Sequence, residues 1–252
     1  MKIKLTLVLI MASFLFGFSQ EMSDTQHKGY IIDKDGNKHE GIIELNYNAP
    51  WDDQRKIKFI AMDKWESGDK IKNKDRHKMT TKDIIEYGYD GKVYKLVKYR
   101  NVSALGETAN NSKMGRFNKI SSGLKNAKST YFAEVYQEGN MSMYKFYNAP
   151  PDVSVSSGEE TAELQKLAED CKTNYDVIIA KQGEGAKSFE AVNVKKYFKD
   201  CDYVSKKFKN KEYTRKPVKG LKSMAGNAML LGDRLAASAK EMVDDYNANC
   251  GG

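Results

Sequence analysis

The chain has 252 residues, 40% of them hydrophobic, and a formal charge of +8 from 42 Lys and Arg against 34 Asp and Glu. This is the composition of a folded, water-soluble protein with material for one large domain or two small ones. The lysines are scattered among acids, with no arginine cluster and no aromatic-interleaved basic patch. That argues against a nucleic-acid partner and leaves solubility as their main effect, with an anionic partner as the alternative.

The first element, MKIKLTLVLIMASFLFGFSQE, has the layout of a secretory signal peptide. Lys2 and Lys4 precede an apolar run from Leu5 to Phe16, and Gly17-Phe18-Ser19 puts small residues at positions −3 and −1 of a cleavage site. The run is shorter than the ~20 residues a spanning helix needs. No Cys follows it, which argues against a lipoprotein anchor, and no later apolar stretch reaches spanning length without charges. The expectation is an exported protein, periplasmic or secreted, cleaved near Ser19-Gln20. Loss of residues 1–19 removes two lysines, so the charge falls from +8 to +6.

Residues 20–155 read as β-structure. Gly29-Tyr30-Ile31-Ile32 and Glu40 to Leu45 flank the turn Asp33-Lys34-Asp35-Gly36-Asn37. Ile84 to Tyr89 turns through Asp90-Gly91 into Lys92 to Tyr99. Tyr131 to Tyr136 turns through Gln137 to Asn140 into Met141 to Tyr147. Short β-rich runs around such turns predict three antiparallel hairpins. The polar, Asn/Ser/Gly-rich stretch 101–128 predicts a long loop. Tyr47-Asn48-Ala49-Pro50 recurs as Tyr147-Asn148-Ala149-Pro150, but the preceding apolar faces fall on opposite parity. The two copies therefore read as strands terminated alike, since a duplicated strand must keep its buried face.

Residues 156–252 change period. Glu159 to Lys172 predicts a helix, and Tyr175 to Ala180 a strand ending at Gly183-Glu184-Gly185. From Glu190 to Lys209, apolar residues recur at three and four, which predicts one amphipathic helix. After Pro217 a final helix is predicted from about Leu221 to Tyr246. Its small-residue face (Ala225, Gly232, Ala236, Ala239) suits either the chain's own sheet or a weak homodimer; the alternative is a monomer. The fold class is thus α+β: antiparallel hairpins in a sheet or barrel-like part, followed by amphipathic helices, packed together as one domain.

Two stretches imitate binding motifs. Asp33 to Asn37, with Glu44 at the twelfth position, resembles the start of an EF-hand loop, but the sixth position is Lys38 rather than glycine. Gly183-Glu184-Gly185-Ala186-Lys187-Ser188 resembles a phosphate-binding loop, but Ala186 and Ala180 stand where glycines are required. His27, His39 and His77 read as isolated residues in turns or loops, and HExxH, CxxC and GxSxG are absent. No cofactor, metal site or catalytic set follows.

The three cysteines are Cys171, Cys201 and Cys250. Export predicts one disulfide and one cysteine left over. Antiparallel packing of the last two helices would bring Cys250 back toward Cys201, so Cys201–Cys250 is the expected pair; Cys171–Cys201 is the competitor.

Tyr197-Phe198-Lys199-Asp200-Cys201, followed by Asp245 to Cys250, resembles the "YF.DC…YN..C" ending of uncharacterised exported proteins of Bacteroidetes-type bacteria. Gly29-Tyr30-Ile31, Gly41-Ile42-Ile43, Ile57-Lys58-Phe59, Asp83-Ile84 and the run 132–139 fit the same pattern. The resemblance implies an exported β-rich domain with C-terminal helices and no particular activity. The expected role is a non-catalytic binding or interaction module of the envelope or periplasm, its partner an envelope component or an anionic polymer. The alternatives are a hydrolase of cell-surface polymers using carboxylates, and adhesion to anionic surfaces through lysines.

Overall fold

The computed structural model describes residues 21–100, 128–149, 166, 169–213 and 228–250. The predicted signal peptide, the predicted loop 101–128 apart from Lys128, and most of the predicted helix Glu159–Lys172 lie outside these residues. The described end of that helix, 169–173, is helical.

Ten strands form one antiparallel sheet. They are β1 (Gln26–Asp33), β2 (Lys38–Glu44), β3 (Lys56–Ala61), β4 (His77–Thr80), β5 (Ile84–Tyr89), β6 (Lys92–Arg100), β7 (Lys128–Gln137), β8 (Met141–Phe146), β9 (Asp176–Lys181) and β10 (Lys187–Ser188). Their order is β10-β9-β8-β7-β6-β5-β1-β2-β3-β4. The α+β class is therefore observed, and the sheet runs through both parts of the chain. The three predicted hairpins are β1–β2, β5–β6 and β7–β8.

The turns follow from their residues. In the β1–β2 turn the Asp33 carboxylate accepts the backbone amides of Asp35 and Asn37, both at 2.9 Å, and Gly36 takes a positive φ of 87°. In the β5–β6 turn Asp90 and Gly91 both have positive φ (47° and 75°), the two-residue geometry that matches strand twist.

The sheet curls back on itself at two places. The Phe132 amide in β7 donates to the Gln54 carbonyl ahead of β3 at 2.7 Å. Buried Gln54 also clamps Tyr147 with its side chain, donating to the carbonyl at 2.7 Å and accepting from the amide at 2.8 Å. Further on, the Ala186 amide donates to the Lys98 carbonyl in β6 at 2.7 Å, and Tyr99 and Ala186 form a parallel bridge. Each curl encloses apolar side chains. The first holds Ile31, Ile43, Phe59, Tyr87 and Phe132; the second holds Val97, Tyr99, Tyr131, Phe146 and Ile178.

Besides the helical stretch 169–173 and a 3-10 turn at Asn73–Asp75, the described residues include the helices α1 (Pro50–Asp53), α2 (Met62–Glu66), α3 (Val194–Tyr197), α4 (Asp202–Lys209) and α5 (Ala228–Asn249). Trp65 of α2 covers Ile42 and Ile60 on the outside of β2 and β3. α5 and the α3–α4 segment cover the outside of β8 and β9 through Met141, Met143, Val177 and Ile179. Burial on both faces explains the uninterrupted apolar run Val177 to Ala180 in an antiparallel strand.

Two expectations are corrected. The single helix Glu190–Lys209 is two helices, broken at Phe198 to Cys201, because Phe198 and Cys201 are both pinned in the core at the break. The three histidines sit in strands β1, β2 and β4 rather than in turns or loops. On the final helix, Ala236 and Ala239 of the small-residue face pack in the chain's own core, one of the two packings expected for it.

Asp53, at the end of α1, gives the fold a pH dependence. Both its carboxylate oxygens accept the Asn46 amide (2.9 and 3.1 Å), yet burial pushes the carboxyl up to about 7. The folded protein thus holds this proton more tightly than the unfolded chain, whose aspartates titrate near ~3.9. The stability it contributes is present at about pH 4 and below, and is lost as pH rises toward about 7. Asp53→Asn is expected to raise the unfolding free energy by ~1–2 kcal/mol at about pH 8 and to leave it unchanged near about pH 4. Urea unfolding at both pH values checks this; an equal effect at both would contradict it.

Candidate functional site

A cleft of 530 Å³ at the β10 edge of the sheet is lined mainly by basic side chains. Its walls come from the end of β6, the β9–β10 turn, β10 itself and α3. Arg100, Lys187, Lys196 and Lys199 are exposed along it, and Lys181 is half-buried at its base. Among the described residues Arg100, Lys196 and Lys199 make no ion pair, and Lys187 approaches Glu184 only at 3.5 Å. Glu184 is the one carboxylate in the lining.

Tyr197 organises the cleft. It is 8% exposed, and two ammonium groups lie against its ring, Lys187 at 4.4 Å and Lys181 at 4.9 Å from the centroid. Such contacts draw cations to the ring's negative face. Burial, with the Glu184 charge second, pushes the Tyr197 phenol up to about 12, so it remains a donor. Its hydroxyl lies near the Lys181 backbone but makes no hydrogen bond of ordinary geometry among the described residues.

The base of the cleft is braced from the C-terminus. Lys181 donates to the Tyr197 carbonyl at 2.7 Å and to Asp200 at 2.5 Å. The Tyr246 hydroxyl in α5 donates to the other oxygen of Asp200 at 2.9 Å. Burial acts to raise the Asp200 carboxyl, but the bonds from Lys181 and Tyr246 outweigh it and hold the group below the usual carboxylate range. One residue further on, Cys201 is joined to Cys250 by a disulfide with a Cα–Cα distance of 5.5 Å, well within the range such bonds require. Cys171 takes no part in it.

A second polar cluster lies inside the first curl. Glu134 accepts from the Tyr94 and Tyr147 hydroxyls (3.3 and 3.4 Å) and pairs with Lys145 at 3.2 Å. The rings of Tyr87 and Tyr94 stack with centroids 4.6 Å apart. Beside it, His27 bonds Asp90 through Nδ1 at 2.5 Å and the Tyr47 hydroxyl through Nε2. This carboxylate–imidazole–phenol chain was invisible in the sequence, because its members are 20 and 63 residues apart. Burial, followed by the charge of Asp90, pushes the Tyr47 phenol up, which suits a hydrogen-bond donor and not a nucleophile. The chain ties β1 to the β5–β6 turn and to the segment after β2.

The imitated motifs have structural explanations. The Asp33 carboxylate is saturated by its own turn and by His39 at 2.8 Å, which holds it well below the usual range, and Glu44 is paired with Lys58 and Arg76. Gly183 to Ser188 is the turn between two antiparallel strands, not the strand-to-helix loop that cradles phosphates. Among the described residues no group of three or more His, Cys, Asp or Glu is placed to hold a metal ion, and no helix is long and apolar enough to cross a membrane. Comparison with family models, with curated proteins and with solved structures finds no match.

Proposed function

We propose that this chain is an exported, non-catalytic binding module of the cell envelope whose ligand is an anionic group held in the β10–α3 cleft. The observation that carries the reading is the gathering of Arg100, Lys187, Lys196 and Lys199 in one cleft, with Lys187 held over the ring of Tyr197. Export rests on the N-terminal sequence, and the Cys201–Cys250 bond suits an oxidising compartment. A glycosidase working through paired carboxylates would need a second carboxylate across the cleft from the first, and the lining supplies Glu184 alone. The geometry therefore favours recognition of charge over bond cleavage.

Binding to an immobilised anionic polysaccharide such as polygalacturonate tests the proposal. The double variant Lys187→Glu/Lys196→Glu is expected to bind at least about tenfold more weakly than the wild type, since reversal replaces attraction by repulsion in a partly enclosed site. Wild-type binding is expected to fall steadily between about 50 and about 500 mM salt. Unchanged binding by the double variant, or indifference to salt, would refute the reading.

A further inference from the structure

We infer that the β10–α3 cleft is the middle of a longer basic track and that its ligand is an extended anionic glycan rather than a single small anion. This rests on the reading of the cleft as the anion site. Three depressions adjoin one another around the β10 edge. The central one shares Arg100, Glu184, Ala186 and Lys187 with a depression of 610 Å³ lined also by Lys98. On its other side it shares Val192 and Asn193 with a depression of 520 Å³ lined also by Lys195, Lys209 and Lys211.

Each depression alone is as large as a typical small-ligand site, so three in a row suit several units of a repeating chain. Charge continues along the whole row. Lys98 and Arg100 lead in, Lys187, Lys196 and Lys199 follow, and Lys195, Lys209 and Lys211 lead out; all eight are exposed. Against them the three linings contain two carboxylates, Glu184 and Glu190. A single small anion would use only the centre, whereas a polyanion with a charge on each unit would meet cations from one end to the other.

The glycan is favoured over a nucleic acid by what the track lacks. Single-stranded nucleic acids bind by stacking bases on exposed aromatic faces. The tyrosines along the track, Tyr99, Tyr197 and Tyr213, are all buried.

Calorimetry with oligogalacturonates of about two, six and ten units tests the inference, using the whole protein. Linking subsites makes the later contacts intramolecular, so affinity is expected to rise by about tenfold or more from the shortest to the longest oligomer. The variants Lys98→Glu and Lys209→Glu/Lys211→Glu, at the two ends, are expected to lose that gain and to keep the wild-type affinity for the dimer. Equal affinity for short and long oligomers would overturn the track, as would end variants that weaken both alike. Tighter binding of a single-stranded DNA of matched charge would overturn the glycan assignment. Wild-type protein that binds neither short nor long oligomers would instead bring down the cleft reading itself. Thermal unfolding of each variant guards against misfolding.

Discussion

Cys250→Ser is expected to destabilise the oxidised protein by ~4 kcal/mol, from the loop-entropy cost of releasing a cross-link between residues 49 apart. The bond fixes the end of α5, one turn beyond Tyr246 and about two turns beyond Met242 and Val243, whose side chains complete the core over β8 and β9. Without it the terminal turn is free to fray, and Tyr246 loses its hold on Asp200. That carboxylate also orients Lys181 beneath Tyr197. The loss therefore reaches the cleft as well as the stability. Denaturant unfolding of wild type, Cys250→Ser and a Cys171→Ser control checks it. The control is expected to stay within about 1 kcal/mol of wild type, as a partly buried residue outside the disulfide. A Cys250→Ser protein as stable as wild type would contradict the structural role of the bond.

Gly41→Ala is expected to cost ~3 kcal/mol or to prevent folding, by overpacking a site where backbone cannot move aside. A Cβ at Gly41 would lie 2.2 Å from the Ile60 carbonyl oxygen and 2.5 Å from the Phe59 ring. Its cross-strand partner in β1 is Gly29, where a Cβ would lie 2.2 Å from the Gly88 carbonyl oxygen. The missing side chains let β3 approach β2 closely at Gly41 and β5 approach β1 closely at Gly29. Gly36→Ala makes the contrast. Its positive φ costs a side chain about 1 kcal/mol, but the space around it is open. Urea midpoints of the two variants check the ranking; Gly41→Ala no less stable than Gly36→Ala would contradict it.

Much of the fold is legible in the sequence because its signals are local. Asp33 to Asn37 and Asp90-Gly91 announce their turns, and Val177 to Ala180 announces a strand buried on both faces. β3 is harder to read. Ile57 and Phe59 alternate with lysines over only six residues, and their partners in β2 and β4 lie across short helical segments. The break between α3 and α4 leaves the apolar period of 190–209 intact, since both helices face one core, so periodicity alone cannot show it. The cleft was hidden for another reason. Its cations come from residues 98–100 and 181–211, and read along the chain they look like scattered solubilising lysines. They meet only because Ala186 docks on Lys98 and folds the β10 edge back onto β6. The Asp90–His27–Tyr47 chain likewise depends on strand register, which no local pattern encodes.

The central claim is that these lysines form a site and do not act merely as a solvated surface. Lysine acetylation footprinting, with and without polygalacturonate, tests it most directly, because every lysine reports at once. The account predicts protection concentrated on Lys187, Lys196 and Lys199, with Lys64 and Lys78, on the distant β3–β4 side of the sheet, labelled as before. Protection spread evenly over the lysines, or centred away from β10 and α3, would contradict it.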